Sequence, residues 1–537
     1  MAGTKTKKHF SSFAVAMVLL GILVMVNLFS QRHFMRLDLT DEKQFTLSGA
    51  SIDAVKELED TLLITVYVSK DLPSHLATLK RGVTDLLEDY RSYSRGKVKI
   101  RFVDPGDDEE LKRNIARIGI QEAMWRVIQK DKVETVKGYF GIAIKYEGRE
   151  EGIPVVNRLD TFEYDLTATL LKISTSEVKM VGFLGGHNEY DPFVELNSLR
   201  SSLEKQYQVI DVDLDRTDMV PDGVDTLIIA RPENIPPRHA YLIDQFLVAG
   251  GRVVMLQDPI KLKKGRLEAE PVDSGINEML ASYGVSYQNS LVVDQYNFNT
   301  AFNMGNGMVM NMPYPFWVKV FKKNMDAGNP ALDKIDNLLF PWTGSLRVEE
   351  ENLGEKKASV LMSSSDSSWI QTSWDLNPRQ RFMPQQSELR THPLAVLVSG
   401  RFTSFYKAKE IPQKPADNSS AVSSAPVPPQ NETIVDGTED AALLVISDAL
   451  FITEDFARRS PAGLAFVLNS IDQMTFGDKL ISLRARGLTQ RTIDQEMPES
   501  KKALIKYSNT FVLPALIVLL AIIRAIFVRR RKSGRTA

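Results

Sequence analysis

The chain has 537 residues, 43% hydrophobic and 25% charged, enough for about three or four compact domains with their own cores. A net charge of −2 gives no broad positive field for nucleic acid. Cysteine is absent, which excludes disulfides, thiolate nucleophiles and Cys-ligated metal centres, and fits either the cytoplasm or a bacterial periplasm.

Residues 1–9 form a short polar tail carrying Lys5, Lys7 and Lys8. From Phe10 to Phe29 the chain is free of charge, as long as the roughly 20 residues a helix needs to cross a bilayer. A cleavable signal peptide would have a shorter apolar core and small residues after it. Asn27–Gln31 make a poor cleavage site, so 10–30 is read as an uncleaved transmembrane helix.

Residues 31–175 read as a first folded domain. Leu62–Val68 is β-rich and Leu76–Tyr93 has helical spacing. Val98–Val103 alternates as a strand, and Asp108–Ile118 reads as a helix. Met124–Gln129 and Tyr139–Tyr146 suggest a hairpin, and a helix near 160–174 closes the unit. The order βαβαββα resembles a thioredoxin-like fold, but Ser69–Leu72 occupy the place of the redox cysteines, so thiol chemistry is excluded. The acidic run Asp104–Glu110 lacks the ligand register of an EF-hand loop and suits a solvated loop entering a helix N-terminus.

Residues 176–406 alternate strands and helices: Lys179–Leu184, Leu196–Gln206, Val209–Leu214, Thr226–Ala230, Pro236–Ala249 and Val253–Leu256. That alternation predicts a parallel sheet covered by helices on both faces, a Rossmann-like α/β domain. Asn303–Pro315, rich in Met, Asn, Gly and Pro, reads as a loop. The neighbouring Tyr314, Phe316, Trp317 and Phe321 form either an aromatic platform for a glycan or partner, or a segment packed on the body. Residues 407–437 are a Pro/Ser-rich disordered linker, 438–490 return to the α/β domain, and 491–508 lead to a second expected transmembrane helix at 509–528. Arg524 interrupts that span one turn from Arg529, close enough to snorkel to the interface with Arg529, Arg530, Arg531 and Lys532 of the basic 529–537 tail. The Arg cluster favours a cytoplasmic C-terminus, two spans put both termini on one side, and the bulk of the chain is then periplasmic.

The candidate site is Gly185, Gly186, His187, Asn188, Glu189 and Asp191, just after a strand at the carboxyl end of the sheet, where such folds bind ligands. His187 and Glu189 can ligate a metal or act as acid and base, or can brace a structural turn. No third ligand set accompanies them, so neither a metal nor a cofactor is assigned and no residue is read as catalytic. Neither a P-loop nor a Gly-x-Ser-x-Gly elbow is present, so energy for any transport comes from another polypeptide.

In chain order, RLDLTDEKQFTLS (Arg36–Ser48), YFGIAIKY (Tyr139–Tyr146), FLGGHNEYD (Phe183–Asp191), LIIARP (Leu227–Pro232), GGRVVMLQDP (Gly250–Pro259), HPLAVLVSGRFTSFY (His392–Tyr406), VISDALFITEDF (Val445–Phe456) and LISLRARG (Leu480–Gly487) resemble the gliding-motility auxiliary component (GldG-like) family of ABC transport systems. The family usually has a glycine where this chain has Asn188. Its central domain is similar to one in intraflagellar-transport proteins and to glutamine-amidotransferase-like folds. The resemblance implies a non-catalytic subunit in the inner membrane of a bacterium, partnered by an ABC ATPase, a multispan permease and the lipid bilayer. Its periplasmic body would bind substrate, envelope glycan or a periplasmic protein, and no nucleic acid. The alternative is an extracytoplasmic glycan-binding protein or envelope hydrolase using His187 and Glu189.

Overall fold

The computed structural model describes residues 47–476, apart from 71, 130–131, 175–178, 264–266, 304–308, 334, 383, 414–436 and 438–440, and scattered residues between 500 and 522. The chain divides into two compact units, 1–488 and 489–537.

The first unit opens with α1 (Gly49–Lys56), whose N-cap Ser48 side chain accepts a hydrogen bond from the Ser51 N–H. β1 (Leu62–Val68) and β2 (Val98–Val103) are parallel and joined by α2 (Ser74–Tyr93). Asp108 caps α3 (Glu109–Arg117) by accepting from the Glu110 and Leu111 N–H groups, so the acidic run serves a helix start. β3 (Ala123–Gln129) and β4 (Lys132–Gly138) form a two-stranded hairpin of their own. β5 (Phe140–Tyr146) instead lies antiparallel to β1, with β6 (Arg149–Ile153) at its other side, giving the order β2-β1-β5-β6. α4 (Leu159–Ser174) covers this sheet, and Ile64, Val66, Phe140, Ile142 and Phe162 fill the core between them.

A seven-stranded sheet follows. Its strands are β7 (Met180–Gly185), β8 (Gln208–Asp213), β9 (Val224–Ala230), β10 (Arg252–Leu256), β19 (Lys357–Ser363), β21 (Pro393–Ser399) and β22 (Ala442–Ile446), in the order β19-β21-β22-β10-β9-β7-β8. The first four and β22 run parallel, while β21 and β19 are antiparallel to their neighbours. Apolar runs such as LIIA in β9 and ALLVI in β22 are what a strand buried on both faces requires. One face packs under α5 (Asn197–Leu203) and α10 (Pro461–Phe476), through Leu199, Leu203, Phe466 and Ile471. The other packs under α7 (Pro237–Val248) and α8 (Asn277–Ser282), through Ile243, Leu247, Met279 and Leu280, while the one-turn helices α6 (Leu214–Thr217) and α9 (Glu454–Ala457) follow β8 and precede α10.

Between β10 and β21 the chain builds four small sheets: β11 (Ile260–Leu262) with β12 (Ala269–Pro271), β13 (Val285–Gln288) with β18 (Ser345–Val348), β14 (Leu291–Asp294) with β20 (Ser368–Gln371), and β15 (Asn297–Asn303) with β16 (Val309–Phe321) and β17 (Asn337–Pro341). The stretch expected as a loop is therefore largely strand. Its aromatics Tyr314, Phe316 and Trp317 sit with Trp342 and Trp369 in a separate buried core.

The fold class expected from the sequence is corrected in two respects. Among the described residues no helix is long and apolar enough to cross a membrane. The longest, α2, has 20 residues but carries Lys80, Arg81, Asp85, Glu88, Asp89 and Arg91, whose burial in lipid is prohibitive as a group. The span expected at 10–30 lies outside the described residues, and of 509–528 only Thr510, Phe511, Pro514 and Ile522 are described, all helical. The transmembrane helix at each end is thus not supported, and the periplasmic placement derived from the two spans is not shown. Secondly, the body is a mixed α/β assembly of several sheets, and its large sheet is not wholly parallel, since β19 and β21 reverse direction.

Candidate functional site

β7 delivers Gly185 to the carboxyl edge of the large sheet, and the chain turns there. Gly186 has φ +107°, which a side chain tolerates poorly, and Asn188 sits at φ +59°, the left-handed region that asparagine enters more readily than most residues.

The turn is braced from inside. The side chains of His187 and Glu189 are each only 4% exposed. One Glu189 oxygen accepts from the His187 backbone N–H at 2.6 Å and the other meets Nδ1 of the ring at 2.9 Å. The second ring nitrogen, Nε2, bonds Nδ1 of His239 in the first turn of α7 at 2.8 Å. His239 Nε2 lies 3.3 Å from the exposed Asp215 carboxylate. Burial and the neighbouring His187 push the His239 pKa down. The His187 carbonyl accepts from the Glu233 N–H at 2.8 Å, and the Arg231 guanidinium donates to both the Asn188 carbonyl and Glu233. Burial pushes the Glu233 carboxyl up, but bonds from Lys261 and Arg231 hold it below the ordinary range.

Tyr190 ties the far end of the loop down. Its N–H donates to the Ala230 carbonyl, its ring lies under Arg231 at 4.7 Å, and its hydroxyl donates to Asp258 at 2.8 Å. Asp191 spends its carboxylate on the next turn, accepting from the Phe193 and Val194 N–H groups at 2.7 and 3.2 Å. That turn lifts Phe193 and Val194 into solvent, 58% and 66% exposed, with the Arg200 guanidinium 4.0 Å over the Phe193 ring.

The structure therefore brings Gly185, Gly186, His187, Asn188, Glu189 and Asp191 together as one loop, with the two acid–base candidates turned inward. Residues outside that candidate set complete it: His239, Arg231, Glu233, Asp258 and Asp448. A signal for three of them was present, since Arg231, Asp258 and Asp448 each stand one or two residues beyond an apolar strand in LIIARP, RVVMLQDP and VISD. Arg524, Arg529, Arg530, Arg531 and Lys532 lie outside the described residues. Clefts of about 470 and 450 Å³ lie elsewhere, one beside Met219, Phe246 and Arg252, the other between β6, α4 and α5, and neither includes a residue of the loop.

Known proteins resemble this chain as follows. The sequence profile of the ABC-type uncharacterized transport system family matches residues 179–479, and that of a domain family of unknown function matches 41–145. An uncharacterized protein of Borreliella burgdorferi is 22% identical, over 93% of this chain and 94% of that one. Among solved structures, the mmIFT52 N-terminal domain overlays with a TM-score of 0.34 at 12% identity, covering 55% of this chain and 97% of that domain, too distant a likeness to inform function. With the family profile spanning the large sheet, its helices and every element of the loop's bracing, the chain belongs to the ABC-type uncharacterized transport system family, auxiliary components of ABC transport.

Proposed function

We propose that the chain is a non-catalytic subunit that serves its transport system by contact, presenting the carboxyl edge of the large sheet to a partner protein, a transported substrate or an envelope polymer. The observation that carries this is the bonding of His187: both ring nitrogens and the Glu189 carboxylate are consumed internally, in side chains almost sealed from solvent. A general base or metal ligand needs one of those atoms free to face a reactant. What the loop offers outward is Asn188 and the apolar pair Phe193 and Val194, fixed in place by the Asp191 turn and Arg200. A small, rigid, exposed apolar tip suits recognition of another surface.

Family membership supports an ABC ATPase and a multispan permease as the partners. The shared motif order with gliding-motility auxiliary components supports the same assembly. The place of work is then a bacterial inner membrane, reached by docking on that complex. The test is co-isolation of the ATPase and permease with the chain, and its loss on Phe193→Asp with Val194→Asp. Retention of both partners by the doubly substituted chain removes the tip from the proposal.

A further inference from the structure

Two carboxyl groups lie buried behind the loop. Asp258 follows β10 and Asp448 follows β22, each two residues beyond the cross-strand pair Leu256–Ile446, so parallel register sets them side by side. Both are sealed from solvent, at 4% and 0% exposure, and Asp258 bonds the backbone N–H groups of the two residues that follow Asp448. Their surroundings differ sharply. Asp258 accepts from the Ala449 and Leu450 N–H groups and from the Tyr190 hydroxyl, with Arg231 close enough to favour its charge. Asp448 receives the Phe451 N–H at 3.2 Å through Oδ1, while Oδ2 meets no donor among the described residues.

Two carboxylates in such a site repel too strongly for both to ionise. The donors decide which one does: Asp258 accepts from two N–H groups and the Tyr190 hydroxyl and lies near a guanidinium, whereas Asp448 accepts on one oxygen alone. A buried carboxyl oxygen with no donor, beside a second carboxyl, is where a proton belongs. We propose that Asp448 holds one proton and donates it to Asp258, and that this carboxyl pair is a proton-dependent latch holding the Gly185–Asp191 loop through Tyr190. When the proton leaves to solvent base, no other covalent bond changes, and two neighbouring carboxylates remain. Their repulsion drives Asp258 off the Ala449 and Leu450 N–H groups, so Tyr190 is left bonded to an acid that is itself no longer fixed, and the loop loses its anchor. The titratable and charged groups facing the pair are Tyr190 and Tyr287, both held far from ionising by burial and by these carboxyls, and the Arg231 guanidinium.

The direction of the effect follows from the site. Burial, then the Asp258 charge, hold the Asp448 carboxyl well above its ordinary range. The folded chain therefore keeps a proton that the unfolded chain releases near pH 3.9, and the latch, whole below that, is lost as pH rises through the elevated folded value. The consequence for partner binding rests on the role proposed for the loop, but the latch is tested on the loop alone, so either can fail without the other.

The experiment is hydrogen exchange of the full chain from about pH 6 to about pH 9, corrected for intrinsic rates, in the wild type and in Asp448→Asn. Peptides covering 186–191 and 447–452 are expected to lose about tenfold or more protection in the wild type as pH rises, with no such loss in Asp448→Asn, whose amide donates to Asp258 and has no proton to give up. Matching profiles in the two proteins overturn the proposal. Should the variant not fold, infrared spectra of the wild type decide: a protonated carboxyl band that persists at neutral pH and fades in step with loop protection supports the latch, and a band absent at neutral pH overturns it.

Discussion

His187 and His239 meet nitrogen to nitrogen at 2.8 Å, with their rings at 86°, so one must donate and the other accept. Glu189 beyond one end and Asp215 beyond the other turn the pair into a chain of four groups from the buried loop to the surface. Such a chain fixes ring orientation and splints β7 to α7. His187→Ala should therefore behave as a structural lesion, costing about 2–3 kcal/mol in urea unfolding because Glu189 and His239 lose buried partners. An unchanged unfolding midpoint, together with a lost chemical activity, would move His187 from brace to catalyst.

Acid should destabilise the protein through its buried histidines. Burial, with Arg390 adding to it, lowers the His392 pKa from 6.5 to about 4, and His239 shifts the same way. A histidine kept neutral in the fold but free to protonate when unfolded makes its contribution in full above about pH 6.5 and loses it as pH falls toward the folded value. His392→Leu should remove on the order of 2 kcal/mol from the stability lost between about pH 6.5 and about pH 4. Parallel stability curves for variant and wild type across that window would contradict this.

The two glycines of the loop should respond differently. Gly186 at φ +107° places any side chain in a strained backbone, so Gly186→Ala should cost about 1–3 kcal/mol. Gly185 has an ordinary backbone and open space where a Cβ would go, so Gly185→Ala should stay within about 0.5 kcal/mol of wild type. Thermal melts of the pair check the contrast, and equal losses would show that the loop is not held as described.

Much of the sheet was legible because it is built from long apolar strands. Leu62–Val68 and Val98–Val103 are strands at the residues where β-branched runs predict them, and β9 and β10 contain the runs read as Thr226–Ala230 and Val253–Leu256. Pairing was less visible. Lys132–Gly138 is too polar to announce a strand, so the sequence suggests a hairpin of Met124–Gln129 with Tyr139–Tyr146, whereas Ala123–Gln129 pairs with Lys132–Gly138 and Phe140–Tyr146 lies against β1. Pro313 and Pro315 disguised β16, since a proline lowers the case for a strand, yet the β15–β16–β17 sheet accommodates both. The candidate loop was visible as Gly-Gly-His-Asn-Glu after a strand. Its meaning was not, because whether His187 faces a reactant or His239 depends on a contact 52 residues away.

The most direct test is to purify the full chain from gently solubilised membranes and identify what accompanies it. Stoichiometric recovery of an ABC ATPase and its permease, with the amount falling about tenfold or more when Phe193 and Val194 are both replaced by aspartate, is the predicted result. Recovery of the wild-type chain free of any nucleotide-binding partner would contradict the role assigned to it.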